Sequence, residues 1–322
     1  MKIACSLGSL LSIEQVLECT KILSKTSIDA IWVPETWGME NFSMLSMVSQ
    51  KAANPAIGSS IINIFSRSPA VISMGAVTVD TISNGRLILG LGTSSPPIVE
   101  DFHGMRFENP VLRMKEYVEI IKLISSGKSV NYTGENFQLK NFKLLIKPKR
   151  ENIPIYLAAV NRKMVKLTWD IADGVIFYLR PLYEMKKTIH TMQEKRKIDV
   201  TCQMITCVSE NSEVALDRSK KTLAFYVAVG KIYRKFLAKN GFAKETENIY
   251  EEFKKTGLRS IHELVTDNMI NSLTISGEPE TCKKQLKKVR ETGVNMPIIQ
   301  FNPVGEVIES FRLFSKTFFE DE

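Results

Sequence analysis

Thiols and imidazoles are scarce in this chain of 322 residues, which has 5 cysteines and 3 histidines. Cys5, Cys19, Cys202, Cys207 and Cys282 never form a Cys-x-x-Cys pair, and their odd number argues against a disulfide framework and against structural zinc. Reduced thiols are expected. His103, His190 and His262 lack the i, i+4 spacing by which a helix presents two imidazoles to one ion, so no metal site is expected. Long apolar runs are missing as well. Leu87 to Leu91 falls far short of the roughly 20 residues that span a bilayer, and Met1 to Leu11 reads as a first strand rather than a signal peptide. These absences predict a cytoplasmic protein with no membrane partner.

What is present is ordinary for a globular enzyme: 44% hydrophobic and 24% charged residues, enough to bury a large core. A net charge of +8 invites a nucleic-acid reading. Its distribution argues otherwise. In Lys283-Lys284-Gln285-Leu286-Lys287-Lys288-Val289-Arg290-Glu291 the cations are interleaved with Leu286 and Val289 at helical spacing, which marks a solvated face over a buried one. No nucleic-acid partner is expected, although a positive field favours an anionic ligand.

Short β-like runs alternate with amphipathic stretches along the whole chain, the pattern of parallel strands joined by crossover helices. Eight strands are expected: Lys2–Leu7, Asp29–Val33, Ala56–Ile62, Arg86–Leu91, Ile153–Ala158, Gly174–Tyr178, Val200–Val208 and Met296–Phe301. Several are apolar throughout, as strands covered on both faces must be. The expected fold is α/β, a single (β/α)₈ TIM barrel over residues 1–322. Ser12 with Gln15 resembles a capping box, and Pro69 after Ser68 suits a first helical turn. Two insertions are expected: a hairpin after the fourth helix, at about 129–146, and a helical excursion between strands seven and eight, at about 211–279, broken by Gly230, Gly241 and Gly257.

A barrel of this kind builds its active site at the carboxyl ends of its strands. Gly92-Thr93-Ser94 there offers backbone N–H groups and hydroxyls, although the same residues serve any strand-to-helix turn. Ala159-Val160-Asn161-Arg162 opens a helix whose free N–H groups suit a phosphate, while Asn161 is equally a plain N-cap. Glu35, following an apolar strand and near Trp37, is a candidate proton donor whose competing role is a salt bridge. His103 is the second candidate, against a capping or packing role. Arg67 is read as the partner of a neighbouring carboxylate and stays outside the expected site.

Together Trp32-Val33-Pro34-Glu35-Thr36-Trp37-Gly38, Phe65-Ser66-Arg67-Ser68-Pro69-Ala70, Ser83-Asn84-Gly85-Arg86-Leu87-Ile88-Leu89-Gly90-Leu91-Gly92-Thr93-Ser94 and Glu100-Asp101-Phe102-His103-Gly104 resemble the luciferase-like, coenzyme F420-dependent oxidoreductases. Ile155-Tyr156-Leu157-Ala158-Ala159, Asp173-Gly174-Val175 and Ser276-Gly277-Glu278-Pro279-Glu280 extend the likeness over most of the chain. The resemblance implies a cofactor ring across the strand ends and a bulge in strand three with a non-prolyl cis peptide, matching Ser60–Ile61. It assigns Asn63 and Gly92-Thr93-Ser94 to the ring and ribityl chain, and Ala159, Val160, Asn161 and Arg162 to the phosphate. It implies coenzyme F420, with FMN and a luciferase-like monooxygenase as the alternative, and a non-catalytic flavin-binding subunit as a third. The substrate is a small organic molecule, a pterin-like one-carbon carrier among the candidates, and by analogy the chain pairs as a homodimer. Where methylenetetrahydromethanopterin reductase-like members end strand one with an acidic residue, this chain has Cys5-Ser6-Leu7-Gly8.

Overall fold

Eight parallel strands close on themselves in the computed structural model, which describes residues 2–320. They are β1 (Ala4–Ser6), β2 (Ala30–Val33), β3 (Ala56–Ser59), β4 (Leu87–Gly92), β5 (Ile155–Ala158), β6 (Gly174–Tyr178), β7 (Asp199–Val208) and β8 (Met296–Phe301). Each pairs with the next in sequence, and β8 returns to β1 with Ile298, Ile299 and Gln300 opposite Ala4, Cys5 and Ser6. The expected barrel is the observed one. Met1 and the last two residues of the expected domain lie outside the described part.

The two-residue period of a strand sorts the core into two clusters. Cys5, Ile31, Ile57, Leu89, Leu157, Val175 and Ile299 join the buried faces of the surrounding helices. Ala4, Ala30, Trp32, Tyr156, Ile176 and Ile298 fill the barrel. All five cysteines are buried and unbonded, and burial pushes the Cys202 and Cys207 thiols up to about 12.

The first helices are α1 (Ile13–Leu23), α2 (Asn41–Lys51), α3 (Pro69–Ile82) and α4 (Pro110–Ser125). The Ser12 hydroxyl accepts from the Gln15 N–H at 3.2 Å while the Gln15 side chain accepts from the Ser12 N–H at 2.8 Å, a complete capping box. Pro69 opens α3, capped by Ser68. α2 and α3 pack closely because Gly75 has no side chain, for a Cβ there would sit 2.6 Å from the Phe42 ring.

After α4 the strands Val130–Thr133 and Gln138–Phe142 form an antiparallel hairpin. Its tip is pinned by the buried Glu116 carboxylate, which accepts from the N–H groups of Glu135, Asn136 and Phe137 at 2.8, 3.0 and 3.1 Å. Next come α5 (Arg162–Ile171) and α6 (Leu182–Gln193). The segment after β7 holds α7 (Ser212–Val229), α8 (Lys231–Leu237), α9 (Ala243–Thr256) and α10 (Asp267–Leu273), before α11 (Pro279–Arg290) and α12 (Val307–Phe318). Gly230 separates α7 from α8, and Gly241 and Gly257 take the left-handed φ values of +89° and +67° that favour glycine. This segment has its own core, in which Leu223, Val227, Leu237 and Ile249 enclose Leu179 and Ile205 of the barrel. One strand within it, Thr274–Gly277, pairs in parallel with the outer end of β7. Four residues with two hydroxyls leave no apolar run by which to recognise it.

Candidate active site

The third strand breaks at the carboxyl end of the barrel. Gly58 pairs with Ile88 and Ile62 with Leu91, so four steps on one strand face three on the other and one residue is extra. Within this bulge the Ser60–Ile61 peptide is cis, and Ile62–Asn63 resumes pairing with β4. The expected Ala56–Ile62 strand is therefore interrupted, as the resemblance implies. Ser59 closes the gap, its hydroxyl donating to the Gly90 carbonyl at 2.9 Å and accepting from the Gly90 N–H at 2.7 Å. Glycine is required at Gly90, where a Cβ would meet backbone, and at Gly92 it leaves room for the Ile61 side chain. A Cβ on Gly90 would lie 1.8 Å from the Ser59 carbonyl oxygen, and one on Gly92 would lie 2.5 Å from Ile61 Cδ1.

Around the mouth, buried polar atoms stand without partners: Ser6 Oγ, Trp32 Nε1, Ser60 Oγ, Asn63 Nδ2, Tyr178 OH and Gln203 Oε1. They belong to neighbouring strands. Ser6 stands in register with Gln300 and Trp32, and Gln203 with Tyr178. The Gln203 amide donates to Gln300 Oε1 at 3.2 Å and leaves its own oxygen unused. Each such atom left dry costs about 1–3 kcal/mol. Across the mouth the residues are small, Gly90, Gly92 and Ala158. A polar arc facing a wall of small residues fits a flat heterocycle rich in hydrogen-bonding edges.

The predicted cofactor residues divide. Ser60, Ile61, Asn63, Gly92, Thr93 and Ser94 come together at the β3 bulge and the end of β4, with Asn63 Oδ1 fixed by the Phe65 N–H at 2.9 Å. Ser94 turns the chain there with a φ of +56°. At the turn predicted to hold a phosphate the Ala159 N–H is already bound to the Ile176 carbonyl at 3.3 Å, and Asn161 caps α5 by accepting from the Met164 N–H at 3.1 Å. The anion-binding capacity of this turn therefore rests on the first-turn N–H groups of α5, with the exposed Arg162 and Lys163 at its start. Arg180 was invisible in the sequence. It is 3% exposed, pairs with Glu184, donates to the Val160 carbonyl at 2.6 Å and lies 4.6 Å from the Phe236 ring centre, locking the turn to α6 and α8.

Neither predicted proton donor is both free and buried. Both Glu35 carboxylate oxygens accept from Arg67, at 2.6 and 2.9 Å, and one also accepts from the Asn41 N–H at 3.1 Å. The pair is nearly enclosed, with side chains 16% exposed for Arg67 and 11% for Glu35, and Arg67 reaches Glu40 at 2.6 Å as well. The Glu35 hydrogen bond pushes the Arg67 pKa further up. Glu35 thus ties the second-strand loop to the third-strand loop. His103 caps a π-helical turn, Ile98–Phe102, and is exposed at the lip. Beside it Trp37 and Phe102, 63% and 60% exposed, meet edge to face at 5.7 Å.

The opposite end of the barrel holds a cavity of about 430 Å³ lined by Lys122, Ser125, Glu151, Asp173 and Asp199 among others. Its carboxylates start strands: Asp173 accepts from the Ile155 N–H at 2.9 Å, as Asp29 does from Ile3 at 2.7 Å. Holding strand starts in place is a stability task at that face. Among the described residues no cluster of His, Cys, Asp and Glu could hold a metal ion, and no helix is long and apolar enough to cross a membrane.

Comparison with known proteins bears out the fold and the family. A 5,10-methylenetetrahydromethanopterin reductase of Archaeoglobus fulgidus is 28% identical over 299 residues, covering 88% of each chain. The coenzyme F420-dependent tetrahydromethanopterin reductase of Methanopyrus kandleri superposes with a TM-score of 0.86 at 19% identity, over 98% of this chain and 97% of that one. The FMN-bound oxygenating constituent of 3,6-diketocamphane monooxygenase from Pseudomonas putida superposes with a TM-score of 0.67 at 14% identity, over 98% and 97%. The model of the luciferase-like monooxygenase family matches residues 2–296, and the chain belongs to that family of oxidoreductases.

Proposed function

We propose that this chain is a coenzyme F420-dependent oxidoreductase that mediates hydride transfer between the deazaflavin and a small organic substrate. The observation that carries the reading is the arc of unpaired buried donors and acceptors, Ser6, Trp32, Ser60, Asn63, Tyr178 and Gln203, facing the small residues Gly90, Gly92 and Ala158. Ser60, Asn63 and the Gly92-Thr93-Ser94 turn would hold the ring and its polyol, and the start of α5 with Arg162 would hold the phosphate. When bound, the deazaflavin supplies a carbon that carries hydride; the protein supplies orientation, exclusion of water and proton handling. Relatives named for a methanopterin reductase make a pterin-like one-carbon carrier a candidate substrate. The exposed, uncharged residues Met47, Val71, Met74 and Ile82 on α2 and α3 offer a face for a second copy of the chain.

The test is an equilibrium titration of the purified protein with coenzyme F420 and with FMN, followed by fluorescence. Saturable binding of the deazaflavin in preference to the flavin is expected. Binding of FMN alone would replace this reading with a flavin-dependent monooxygenase.

A further inference from the structure

With Glu35 bound to Arg67 and His103 exposed at the lip, the mouth needs another source for the proton that accompanies hydride transfer. Arg180 is engaged by Glu184 and the Val160 carbonyl. Tyr178, the last residue of β6, is different: its phenol oxygen is buried and has no hydrogen bond of normal geometry among the described residues, with the Tyr226 phenol and the Gln300 amide as its near polar neighbours. It sits in register with Gln203, whose amide oxygen is also unused. Tyr226 of α7 and Tyr233 of α8 cover it, with ring centres at 5.1 and 5.7 Å. The surroundings are neutral phenols and amides, with no carboxylate or guanidinium bonded to the Tyr178 oxygen.

We propose that Tyr178 donates a hydrogen bond, and in the reducing direction a proton, to an uncharged carbonyl or imine group of the substrate. The proposal rests on the deazaflavin reading above. In that direction the substrate carbon gains hydride, with its electron pair, from the reduced deazaflavin. The C=O or C=N π pair moves onto the heteroatom, the Tyr178 O–H bond breaks, and the proton joins the heteroatom. Water returns a proton to the phenolate when product leaves. Burial first, and then the neighbouring Tyr226 phenol, push the Tyr178 pKa up, so it stays a protonated donor through the neutral range. A neutral donor beside neutral amides also sets a substrate class: the reacting end is an uncharged hydrogen-bond acceptor, which a phenol and amides can match without a counter-charge.

Acetophenone is the probe, added to the deazaflavin-loaded protein and to the cofactor-free protein, with its carbonyl stretch read by carbon-13-edited infrared difference spectroscopy. A hydrogen bond from a phenol lowers that stretch. The expected result is saturable binding with a downshifted band in the wild type, the same band in Tyr226→Phe, and loss of the downshift in Tyr178→Phe. An unchanged downshift in Tyr178→Phe, a loss confined to Tyr226→Phe, or no saturable binding of acetophenone would each overturn the proposal. Deazaflavin affinity, measured on the same samples, separates this from a failure of the cofactor reading: Tyr178→Phe is expected to leave that affinity within about threefold. Once a substrate is in hand, Tyr178→Phe should lower kcat by about 10²–10⁴.

Discussion

The Ser59 hydroxyl holds both backbone groups of Gly90, one hydrogen bond given and one received, across the strand pair in which the bulge interrupts the ladder. This contact keeps the third strand attached to the fourth where Ser60 and Ile61 leave the sheet. Replacing Ser59 with alanine strands a buried N–H and a buried carbonyl, at a cost of about 1–3 kcal/mol. Gly90→Ala should cost more, because its Cβ would overlap the Ser59 carbonyl, which is backbone and has nowhere to retreat. Urea denaturation midpoints of the two variants check the order; a Gly90→Ala protein as stable as the wild type would contradict it.

Glu35→Gln separates a structural carboxylate from a chemical one. Removing one member of a fully buried ion pair costs about 3–5 kcal/mol, but Arg67 keeps Glu40 and the pair touches solvent, so a loss of about 1–3 kcal/mol is expected. Turnover, measured below the melting range, should fall by less than the hundredfold that typifies loss of a general acid. A folded Glu35→Gln enzyme of full stability, slowed a hundredfold or more, would return Glu35 to the role of proton donor.

Glu40 gives the local structure a pH dependence of defined sign. Burial works against its ionisation, yet the Ser43 and Phe42 N–H groups at the start of α2, together with Arg67, outweigh that and hold its pKa below the ordinary value. A carboxylate depressed by folding stabilises the native state above its unfolded pKa, and that stability is lost as pH falls through the folded value. Melting temperatures taken from pH 6 downward should therefore fall below about pH 4.5, and Glu40→Gln should flatten that part of the curve while lowering the plateau. A steeper acid limb in the variant would contradict the assignment.

The barrel was legible because its signal is repetitive: runs such as Ile155-Tyr156-Leu157-Ala158 are buried on both faces and cannot be amphipathic. The capping box of α1 and the proline of α3 were legible because they are local. The placement of Ser60–Ile61 came from resemblance, since nothing in the residues themselves marks a cis bond. Contacts between distant segments were not legible. Glu35 and Arg67 are 32 positions apart and Arg180 and Val160 are 20 apart, so only the closed barrel reveals that each pair is engaged. Tyr178 read as one more apolar strand residue, because its sequence neighbours Ile176 and Phe177 are core and its partners come from β7 and from the excursion.

The measurement that bears most directly on the account is deazaflavin affinity in Gly92→Ala. The added methyl would meet Ile61 Cδ1 and Cγ1, both at 2.5 Å, and no backbone among its three nearest atoms, so the barrel should keep most of its melting temperature while Ile61 is pushed into the mouth. Affinity should weaken by about tenfold or more, equivalent to about 1.4 kcal/mol, and Glu151→Gln in the cavity at the opposite end should bind as the wild type does. Unchanged affinity in Gly92→Ala, with weakened binding in Glu151→Gln, would place the cofactor at the wrong end of the barrel for everything proposed here.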